Sequence, residues 1–415
     1  MNITSALILP RRILVLLFLG FASGLPLALT SSTLSAWFTK AGMSLLNIGL
    51  LTLVGQPYIY KFIWAPLVDR YDPLKMGKRR SWLLLTQILV CLTLAFMAHL
   101  NPAQTPGLVA ACALLTAFFS ATQDIASSAY LAEAPKAEER GLAAGLYMTG
   151  YRIALIISGA LALIMAEYFG WNLTYYTMAA LMLIGMFTVF MTPEPSTKQN
   201  TLPHPSFKSL MLDPFRELWQ RFTPKYRLLF ALLIPTYNLT DNLAMALNSV
   251  MLLRDLHFSL AEVGIVNKAF GLSATIIGVM LAGVLMRKIK LFPALLIFGV
   301  LQALSHLAFI WLYDSGHNLN VLAVTVFSVN ICTGLATTAF LALIINLCHK
   351  DFAGTQFAVL TALMALGRVY IGPLAALLVA HLGWPIFYAI STLIGFISLL
   401  LLLPLKNRLN PENKF

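Results

Sequence analysis

Residues 120–152 of this chain read SATQDIASSAYLAEAPKAEERGLAAGLYMTGYR. The stretch holds two apolar runs on either side of a short charged turn; the first run carries Gln123 and Asp124, and the second carries Arg152. A charged side chain at the centre of a bilayer costs about 2.5–3.5 kcal/mol, so such a residue usually faces protein or water. The stretch therefore predicts two neighbouring membrane spans with opposite charges turned toward the inside of a helical bundle.

The composition of the whole chain extends this prediction from two spans to many. Of the 415 residues, 59% are hydrophobic and 11% are charged, whereas about 25% are charged in an average soluble domain. Apolar runs of about 20 residues are long enough to cross the hydrocarbon core. They predict an all-α membrane protein with twelve spans, centred near Leu19, Tyr58, Val90, Ala121, Ile156, Leu181, Leu239, Ala274, Phe298, Ile331, Leu366 and Thr392.

The distribution of basic residues predicts how the chain is oriented in the membrane. Of the 28 lysines and arginines, 22 lie in the terminal segments and loops of one side, while only Lys40 and Arg254 lie on the other. Because basic loops stay in the cytoplasm, both termini and the central loop are predicted to be cytoplasmic. The net charge of +12 follows from this topology and gives no reason to expect a nucleic-acid partner.

The two halves of the chain repeat one another. Glycine and tyrosine positions recur at an offset of 213 residues; the matching pairs are Gly141 and Gly354, Gly159 and Gly372, Gly170 and Gly383, and Tyr175 and Tyr388. The repeat predicts two six-helix bundles, residues 1–192 and 227–405, joined by a cytoplasmic linker at 193–226 and followed by a cytoplasmic tail at 406–415. Two parallel, pseudo-symmetric six-helix halves resemble the layout of the major facilitator superfamily.

The turn after the second span, Ala65–Arg80, reads APLVDRYDPLKMGKRR and resembles the signature that this superfamily carries at the same place. The resemblance implies that Asp69 faces a helix N-terminus in the other half and holds a cytoplasmic gate shut, with Arg70 and Arg140 as further gate residues. Without the resemblance, Asp69 and Arg70 would be an ordinary solvated pair. The second-half copy of the turn has Met286 in place of Asp69.

Polar residues in the fourth span follow helical spacing; they are Ser120, Gln123, Asp124, Ser127 and Ser128. Such a stripe on an apolar helix predicts a face that lines a watery cavity, although hydrogen bonds between helices would also account for the serines. The fifth span adds Tyr147, Tyr151 and Arg152 as candidate binding residues. Arg152 either neutralises Asp124 or holds an anionic group of a substrate, and both alternatives fit the pattern.

The second and seventh spans supply further candidates. In the second span, Gln56 is predicted to face the cavity, whereas Lys61 is expected to extend its stem toward the cytoplasmic surface. The seventh span carries Asn238, Asp241 and Asn242 on a helix that should border the cavity.

Two residues of later spans bear on Asp241. Lys268 in the eighth span is a plausible partner for that carboxylate. His306 in the ninth span is expected to be a buried packing residue rather than a proton carrier.

Cations outnumber carboxylates within the spans. The cations are Lys61, Arg152, Lys268 and Arg368, and the carboxylates are Asp124 and Asp241. A net positive cavity suits an anionic small molecule, and a carboxylate in such a cavity can accept a proton. We therefore expect transport driven by the proton gradient with no other cofactor, and Asp124 as the leading proton-coupling group.

Several runs resemble a narrower family, the AmpG-type muropeptide permeases; they are GFASGLPLALTSSTLSAWF (20–38), VGQPYIYKFIWAPLVDRY (54–71), GKRRSWLLLTQI (77–88), SATQDI (120–125) and AEERGLAAGLYMTGYR (137–152). The resemblance implies a multi-pass protein in the inner membrane of Gram-negative bacteria. It also implies proton-coupled import of anhydro-muropeptides, which are products of cell-wall turnover, from periplasm to cytoplasm for peptidoglycan recycling. A monomer is expected by analogy with the superfamily.

The chain departs from that family at the end of the fourth span. After the Gln-Asp pair the permeases continue with an aromatic residue, a second Asp, Ala and Trp, whereas this chain has Ser128 where the second acid stands. This difference keeps open another anionic cargo, such as a siderophore or an acetyl-CoA-like molecule.

Neither catalysis nor metal binding is favoured by the sequence. A membrane enzyme, such as a lipid-linked transferase, would need a nucleophile or a metal cluster near the interface, and no His, Asp and Glu grouping of that kind is found. The four cysteines have no CxxC spacing, and we expect them to be small buried hydrophobic residues. A channel or receptor without alternating access is the third class that remains open.

Overall fold

A computed structural model describes residues 11–136, 139–194, 224–347 and 353–406, and every regular element in this part of the chain is a helix. The first half contains α1 (Arg11–Leu29), α2 (Ser32–Lys40), α3 (Leu45–Leu50), α4 (Gln56–Tyr60), α5 (Ala65–Arg70), α6 (Lys78–Met97), α7 (Pro106–Glu133), α8 (Arg140–Ile156) and α9 (Ala162–Met191). The second half contains α10 (Pro224–Thr236), α11 (Leu239–Ala246), α12 (Gly271–Leu285), α13 (Leu291–Ser305), α14 (Ala308–Ser315), α15 (Leu319–Leu347), α16 (Ala353–Tyr370) and α17 (Gly372–Leu400). Wider π-helical turns occupy Ile157–Leu161, Met251–Asp255 and Val263–Phe270.

Eight stretches of the described chain are long and apolar enough to cross a membrane. The two longest, Leu142–Met191 and Val359–Leu405, each contain a glycine with positive φ that interrupts the helical backbone. These glycines are Gly170, with φ of 80°, and Gly383, with φ of 75°. Glycine adopts this conformation without the steric cost that a side chain would bring. The repeat seen in the sequence therefore has the same backbone break in both halves.

The segments predicted as the second and seventh spans consist of short helical pieces. Pro57 and Pro66 occupy the first turns of α4 and α5, and Pro235 lies inside α10. A proline has no N–H and its ring clashes with the preceding turn, so a helix restarts or bends there. Neither segment forms one long apolar helix, and the count of twelve spans stays a prediction.

Contacts between Cα atoms divide the chain into two compact units. Unit 1 contains Met1–Ser44, Val54–Gln199 and Ser259–Ile265, and unit 2 contains Leu45–Leu53, Asn200–Phe258 and Val266–Phe415. The short segments Leu45–Leu53 and Ser259–Ile265 each contain a glycine that packs closely against the unit to which the segment belongs. Within unit 2, a Cβ on Gly49 would lie 2.6 Å from the Gly372 carbonyl oxygen; within unit 1, one on Gly264 would lie 2.8 Å from that of Ala160. The predicted boundaries at 192 and 227 stay a prediction, since 195–223 lie outside the described residues.

Close backbone contact between α1 and α8 forms the centre of unit 1. A Cβ on Gly20 would lie 2.0 Å from the carbonyl oxygen of Tyr147, and one on Gly150 would lie 1.8 Å from that of Leu17. Small residues let two helices approach at such distances, which is the tight packing that the glycines of the first span allow. The contact fixes the position of the half of α8 that carries Arg152.

Unit 2 is held by similar contacts around α15. A Cβ on Gly278 of α12 would lie 2.3 Å from the carbonyl oxygen of Ile331. On the other side of α15, the ring of Phe340 stacks on Tyr237 with centroids 4.4 Å apart. The Thr240 hydroxyl of α11 donates to the Ser391 carbonyl oxygen of α17 at 2.7 Å. These contacts set the rotation of α11, and with it the direction of Asp241.

Candidate functional site

Asp124 lies in the second half of α7 and forms an ion pair with Lys61. Lys61 begins the tight helical turn Lys61–Ile63 that separates α4 from α5. The two side chains are 26% and 34% exposed. The expectation that Lys61 extends to the cytoplasmic surface is therefore wrong, because the interrupted backbone of this segment turns its ammonium toward α7. Of the two alternatives for Arg152, neutralisation of Asp124 is also wrong.

The rest of the polar stripe on α7 makes contacts between helices. The Tyr58 hydroxyl donates to Ser120 Oγ at 2.9 Å, and the hydroxyls of Ser23 and Ser127 are 2.9 Å apart. Ser120 and Ser127 are completely buried, as is Gln123, whose amide has no hydrogen-bond partner among the described residues. For the serines, the alternative of hydrogen bonds between helices is the one found. An unpartnered buried amide, by contrast, is a candidate for contact with a ligand or a bound water.

The candidates on α8 lie in its C-terminal half, beside α1. Tyr147 is 6% exposed, and the carbonyl of Tyr151 lies against Gly24 of α1. Arg152 is half-buried, and no carboxylate of the described chain lies within ion-pair distance of its guanidinium. Gln56, the first residue of α4, is also half-buried. Arg152 is thus a cation of unit 1 whose charge the described protein does not neutralise.

In unit 2, Asp241 contacts one histidine and one threonine. The Thr333 hydroxyl donates to Oδ1 of Asp241 at 2.9 Å, and Nε2 of His306 lies 3.3 Å from the same oxygen. The His306 side chain is completely buried, whereas that of Asp241 is 20% exposed. The expected pairing of Asp241 with Lys268 is therefore wrong. His306 is buried as predicted, but it also takes part in the polar site.

The other candidates of unit 2 lie on three different segments. Asn242 of α11 packs against Gly367 of α16, the residue before Arg368. The Asn238 side-chain oxygen is buried without a hydrogen-bond partner among the described residues. Arg368 is exposed, and Lys268 is half-buried in the π-helical segment Val263–Phe270. Neither cation has a carboxylate within ion-pair distance in the described part of the chain.

The partners found leave a surplus of positive charge in the spans. Lys61 neutralises Asp124, and Asp241 is engaged by side chains of unit 2 other than its cations. Arg152 in unit 1, and Lys268 with Arg368 in unit 2, therefore have no anionic partner among the described residues. Three such cations can each hold a carboxylate or phosphate oxygen of a ligand.

The turn between α5 and α6 in unit 1 contains an ion-pair cluster centred on Arg79. Its guanidinium donates to both carboxylate oxygens of Glu133, at 3.0 and 2.5 Å, and to Asp69 at 2.6 Å. The carboxylate of Glu194 accepts from the backbone N–H groups of Arg79 and Arg80 at the start of α6. The cluster ties the ends of α5, α6 and α7 together.

The gate candidates take different places around this cluster. Asp69 belongs to it, whereas Arg70 is exposed and lies over the ring of Tyr71. The side chain of Arg140 lies outside the described residues. Their gate function stays a prediction.

Asp72 closes the same turn. It accepts hydrogen bonds from the Ser81 hydroxyl and from the Gly77 N–H. Partial burial acts to raise the pKa of Asp72, but these hydrogen bonds outweigh it and hold the pKa below its ordinary value. Gly77, which donates the second of these bonds, has a positive φ just before α6 begins.

The sequence gave little or no sign of the contacts made by three residues. Thr333 is one of several hydroxyl residues in an apolar helix, and nothing in its spacing distinguishes it from the other threonines there. Glu133 and Arg79 were visible as loop charges, but their pairing depends on how α6 and α7 approach one another.

Of the cysteines, Cys112 is buried and Cys91 and Cys332 are half-buried, all as free thiols; Cys348 lies outside the described residues.

Comparison with known proteins identifies the family. The family model of the Major Facilitator Superfamily matches residues 16–238 and 229–415. The chain is 44% identical to the anhydromuropeptide permease of Escherichia coli (strain K12) over 394 residues, which is 94% of this chain and 79% of that protein. It is 29% identical to the putative transporter AmpG 1 of Rickettsia bellii, over 96% of this chain and 99% of that protein.

The fold agrees with these relatives. The crystal structure of a D-xylose-proton symporter superposes with a TM-score of 0.69 at 13% identity, covering 97% of both chains. A likeness at this identity concerns the fold alone. Together, the matched family model, the identity to the E. coli permease and the helical architecture show that the chain belongs to the major facilitator superfamily and, within it, to the AmpG-type permeases.

Proposed function

We propose that this multi-pass membrane protein imports anhydro-muropeptides across the bacterial inner membrane, from periplasm to cytoplasm, in symport with protons. The name of the E. coli relative supports the cargo. One observation on this chain supports it independently: Arg152, Lys268 and Arg368 lack anionic partners in the described part of the spans. Anhydro-muropeptides carry carboxylates, so they supply the charges that these cations need.

The three cations differ in what they offer a cargo. The planar guanidinium groups of Arg152 and Arg368 donate two parallel hydrogen bonds to one carboxylate, whereas the ammonium of Lys268 acts as a point charge. Lys268 lies in a π-helical segment, a departure from the α-helix that is frequent at functional sites. We propose that Gln123, Asn238 and Asn242 add neutral hydrogen bonds, since the first two have buried atoms without a partner in the described chain.

Uptake by proteoliposomes tests the cargo. Purified protein in vesicles with an inwardly directed proton gradient should accumulate labelled anhydro-muropeptide, and collapse of the gradient with a protonophore should stop accumulation. A ferric siderophore and acetyl-CoA, supplied separately with the same label type, test the alternative cargoes. Accumulation of either of these in place of the muropeptide would overturn the proposed substrate class.

Substitution of one cation tests the charge argument. Arg152→Gln should raise the half-saturating concentration of anhydro-muropeptide about tenfold or more, because one charge-assisted contact is worth about 1.5–3 kcal/mol. Arg152→Lys should recover part of the lost affinity, since lysine keeps the positive charge but not the two parallel N–H donors of the guanidinium. Lys40→Gln is the matched control, because Lys40 is an exposed cation at the end of α2. Equal uptake by all four proteins would contradict the role of Arg152.

We also propose that both termini are cytoplasmic, that the protein acts as a monomer and that Asp69, Arg70 and Arg140 belong to a cytoplasmic gate. The number of basic residues on that side supports the orientation. A reporter that is active only in the cytoplasm should be active when it is fused to the C-terminus. Activity of a reporter that works only in the periplasm would contradict this orientation. Size analysis in detergent tests the monomer.

A further inference from the structure

The contacts of Asp241 in unit 2 constrain where a proton can bind. Both the Thr333 hydroxyl and Nε2 of His306 approach Oδ1 of the carboxylate. Neither contact involves Oδ2, and the side chain of Asp241 is 20% exposed. Two side chains therefore contact Oδ1, and part of the carboxylate side chain remains exposed.

In the described chain, the ring of His306 has a hydrogen-bond partner at Nε2 and none at Nδ1. Its side chain is completely buried. A neutral imidazole that donates from Nε2 leaves Nδ1 as a bare acceptor, whereas an imidazolium would bury a charged N–H without an acceptor. The carboxylate is therefore the partly exposed group of this pair, and the ring is the buried one.

We infer that Asp241 is the proton-binding group that couples transport to the proton gradient, with His306 and Thr333 as its positioning residues. The step is a single protonation: a proton from water binds Oδ2, the carboxylate becomes a neutral carboxylic acid, and Oδ1 continues to accept both hydrogen bonds. On release the proton returns to water and the carboxylate is restored. No other bond is made or broken. The inference rests on the proposed function and specifies the residue that makes it proton-coupled.

Asp124 in unit 1 is less suited to the same task. Its carboxylate contacts the ammonium of Lys61, so a proton would have to displace or compete with a full positive charge. A proton at Asp241 meets no lysine or arginine within ion-pair distance in the described chain. This assignment differs from the sequence-based expectation that Asp124 leads the coupling.

The surroundings of Asp241 contain few other groups that could titrate with it. They are Tyr237 just before α11, Cys332 beside Thr333 on α15, and, on two helices that contact α11, Arg368 of α16 and Tyr388 of α17. The hydroxyls of Tyr237 and Tyr388 donate to the Leu295 carbonyl oxygen and to the Met251 sulfur. In the described chain, none of the four forms an ion pair with Asp241.

Arg368 supplies the physical link between the proton and the cargo. Asn242, next to Asp241 in sequence, packs against Gly367, next to Arg368. Protonation of Asp241 removes one negative charge from unit 2 and leaves Arg368 and Lys268 to act on an anionic cargo with less opposition. Proton binding and cargo binding therefore favour one another, as symport requires.

Transport by Asp241→Asn tests the inference. The variant should lose gradient-driven accumulation, so that uptake with and without a proton gradient reaches a ratio of about one, while counterflow exchange of anhydro-muropeptide stays detectable. Asp314→Asn is the matched control: it makes the same change at an exposed position of α14 and should keep the wild-type ratio. Asp124→Asn should transport more slowly but still respond to the gradient. Gradient-driven accumulation by Asp241→Asn, or its loss in Asp124→Asn with counterflow intact, would overturn the assignment.

An infrared pH titration of the purified proteins tests it without any cargo. The wild-type difference spectrum should contain a carboxylic-acid C=O band that is absent in Asp241→Asn and present in Asp124→Asn and Asp314→Asn. Thr333→Val should move the midpoint of that band to higher pH, because it removes a donor to the ionised form, and Thr333→Ser should restore it. A band that persists in Asp241→Asn overturns the assignment. If instead wild-type vesicles import no muropeptide while the band behaves as expected, the proposed cargo fails and the proton site stands.

Discussion

Asp124 in unit 1 and Asp241 in unit 2 are both carboxylates of predicted apolar spans, and the two units stabilise them by different means. In unit 1, Asp124 contacts the ammonium of Lys61; in unit 2, Asp241 is approached by a threonine hydroxyl and an imidazole. An Asp→Asn change leaves a charged partner such as Lys61 uncompensated. A hydroxyl donor can instead bind the amide oxygen of the new asparagine as well as it bound the carboxylate. The comparison teaches that identical Asp→Asn changes should affect the stability of the two units very differently.

The largest effect is expected when the ion pair of unit 1 is broken. Removal of one partner from a buried pair costs about 3–5 kcal/mol, and the partial exposure of Asp124 and Lys61 reduces this to about 2 kcal/mol for Asp124→Asn. The double variant Lys61→Met/Asp124→Asn should recover most of the loss, because no charge is then left alone. Apparent melting temperatures of the detergent-solubilised proteins measure both changes.

Unit 2 provides the control for that experiment. Asp241→Asn should cost no more than about 1 kcal/mol, since the amide oxygen can still accept from Thr333 and His306. If Asp241→Asn destabilises the protein as much as Asp124→Asn does, the distinction between the two carboxylates is incorrect.

The turn between α5 and α6 in unit 1 and its second-half copy provide the next comparison. Arg79 of unit 1 contacts Glu133 and Asp69, whereas Arg287, after Met286 in the second-half copy, is exposed and has no carboxylate partner in the described chain. Arg79→Gln should therefore cost about 2 kcal/mol, reduced from the sum of its contacts because Asp69 is 56% exposed. Arg287→Gln should change stability by less than about 0.5 kcal/mol. Similar melting temperatures for the two variants would show that the cluster adds little.

A smaller effect is expected at Thr333. Thr333→Val keeps the shape of the side chain and removes one hydrogen bond to Asp241, which should cost about 1–2 kcal/mol of stability at neutral pH. Thr333→Ser keeps the donor and should lie close to the wild type. The same melting measurement at acid pH should show a smaller difference, because a protonated Asp241 needs the donor less.

The smallest effect concerns Asp72. Its pKa is lower in the folded protein than in the unfolded chain, so it stabilises the fold above its ordinary pKa of about 3.9, and this contribution is lost as the pH falls through the folded-state value. Asp72→Asn should therefore lower stability by at most about 1 kcal/mol at pH 7. The difference from the wild type should vanish in strong acid, and a constant difference at all pH values would contradict the role of the carboxylate.

Much of the fold could be predicted from the sequence, since it follows from local physics. A chain with this many apolar runs can satisfy its backbone in lipid only as helices. The uneven placement of the 28 basic residues predicts an orientation, which stays a prediction. The repeated Gly170 and Gly383 positions turned out to share one unusual backbone conformation. The number of continuous helices was harder to predict, because Pro57, Pro66 and Pro235 interrupt spans whose hydropathy alone looks uniform.

The candidate site was predictable in its members and less so in its contacts. Charged residues are easy to recognise within apolar runs, and Asp124, Arg152, Asp241 and Arg368 were chosen as candidates for this reason. The partners of the two carboxylates were not: Lys61 was expected to extend away, and Lys268 was expected at Asp241. Partner choice depends on the rotation and spacing of neighbouring helices, which the spacing along one helix does not contain.

The sequence by itself determined that the chain is a helical membrane protein, which ions lie in its spans and that their sum is positive, because transfer free energies and charge counts depend on composition alone. Only the tertiary structure decided that Asp124 is neutralised by Lys61 and that Asp241 is held by His306 and Thr333. The reason is geometric: a hydrogen bond or an ion pair forms only within about 3–4 Å, and helix packing sets distances at that scale.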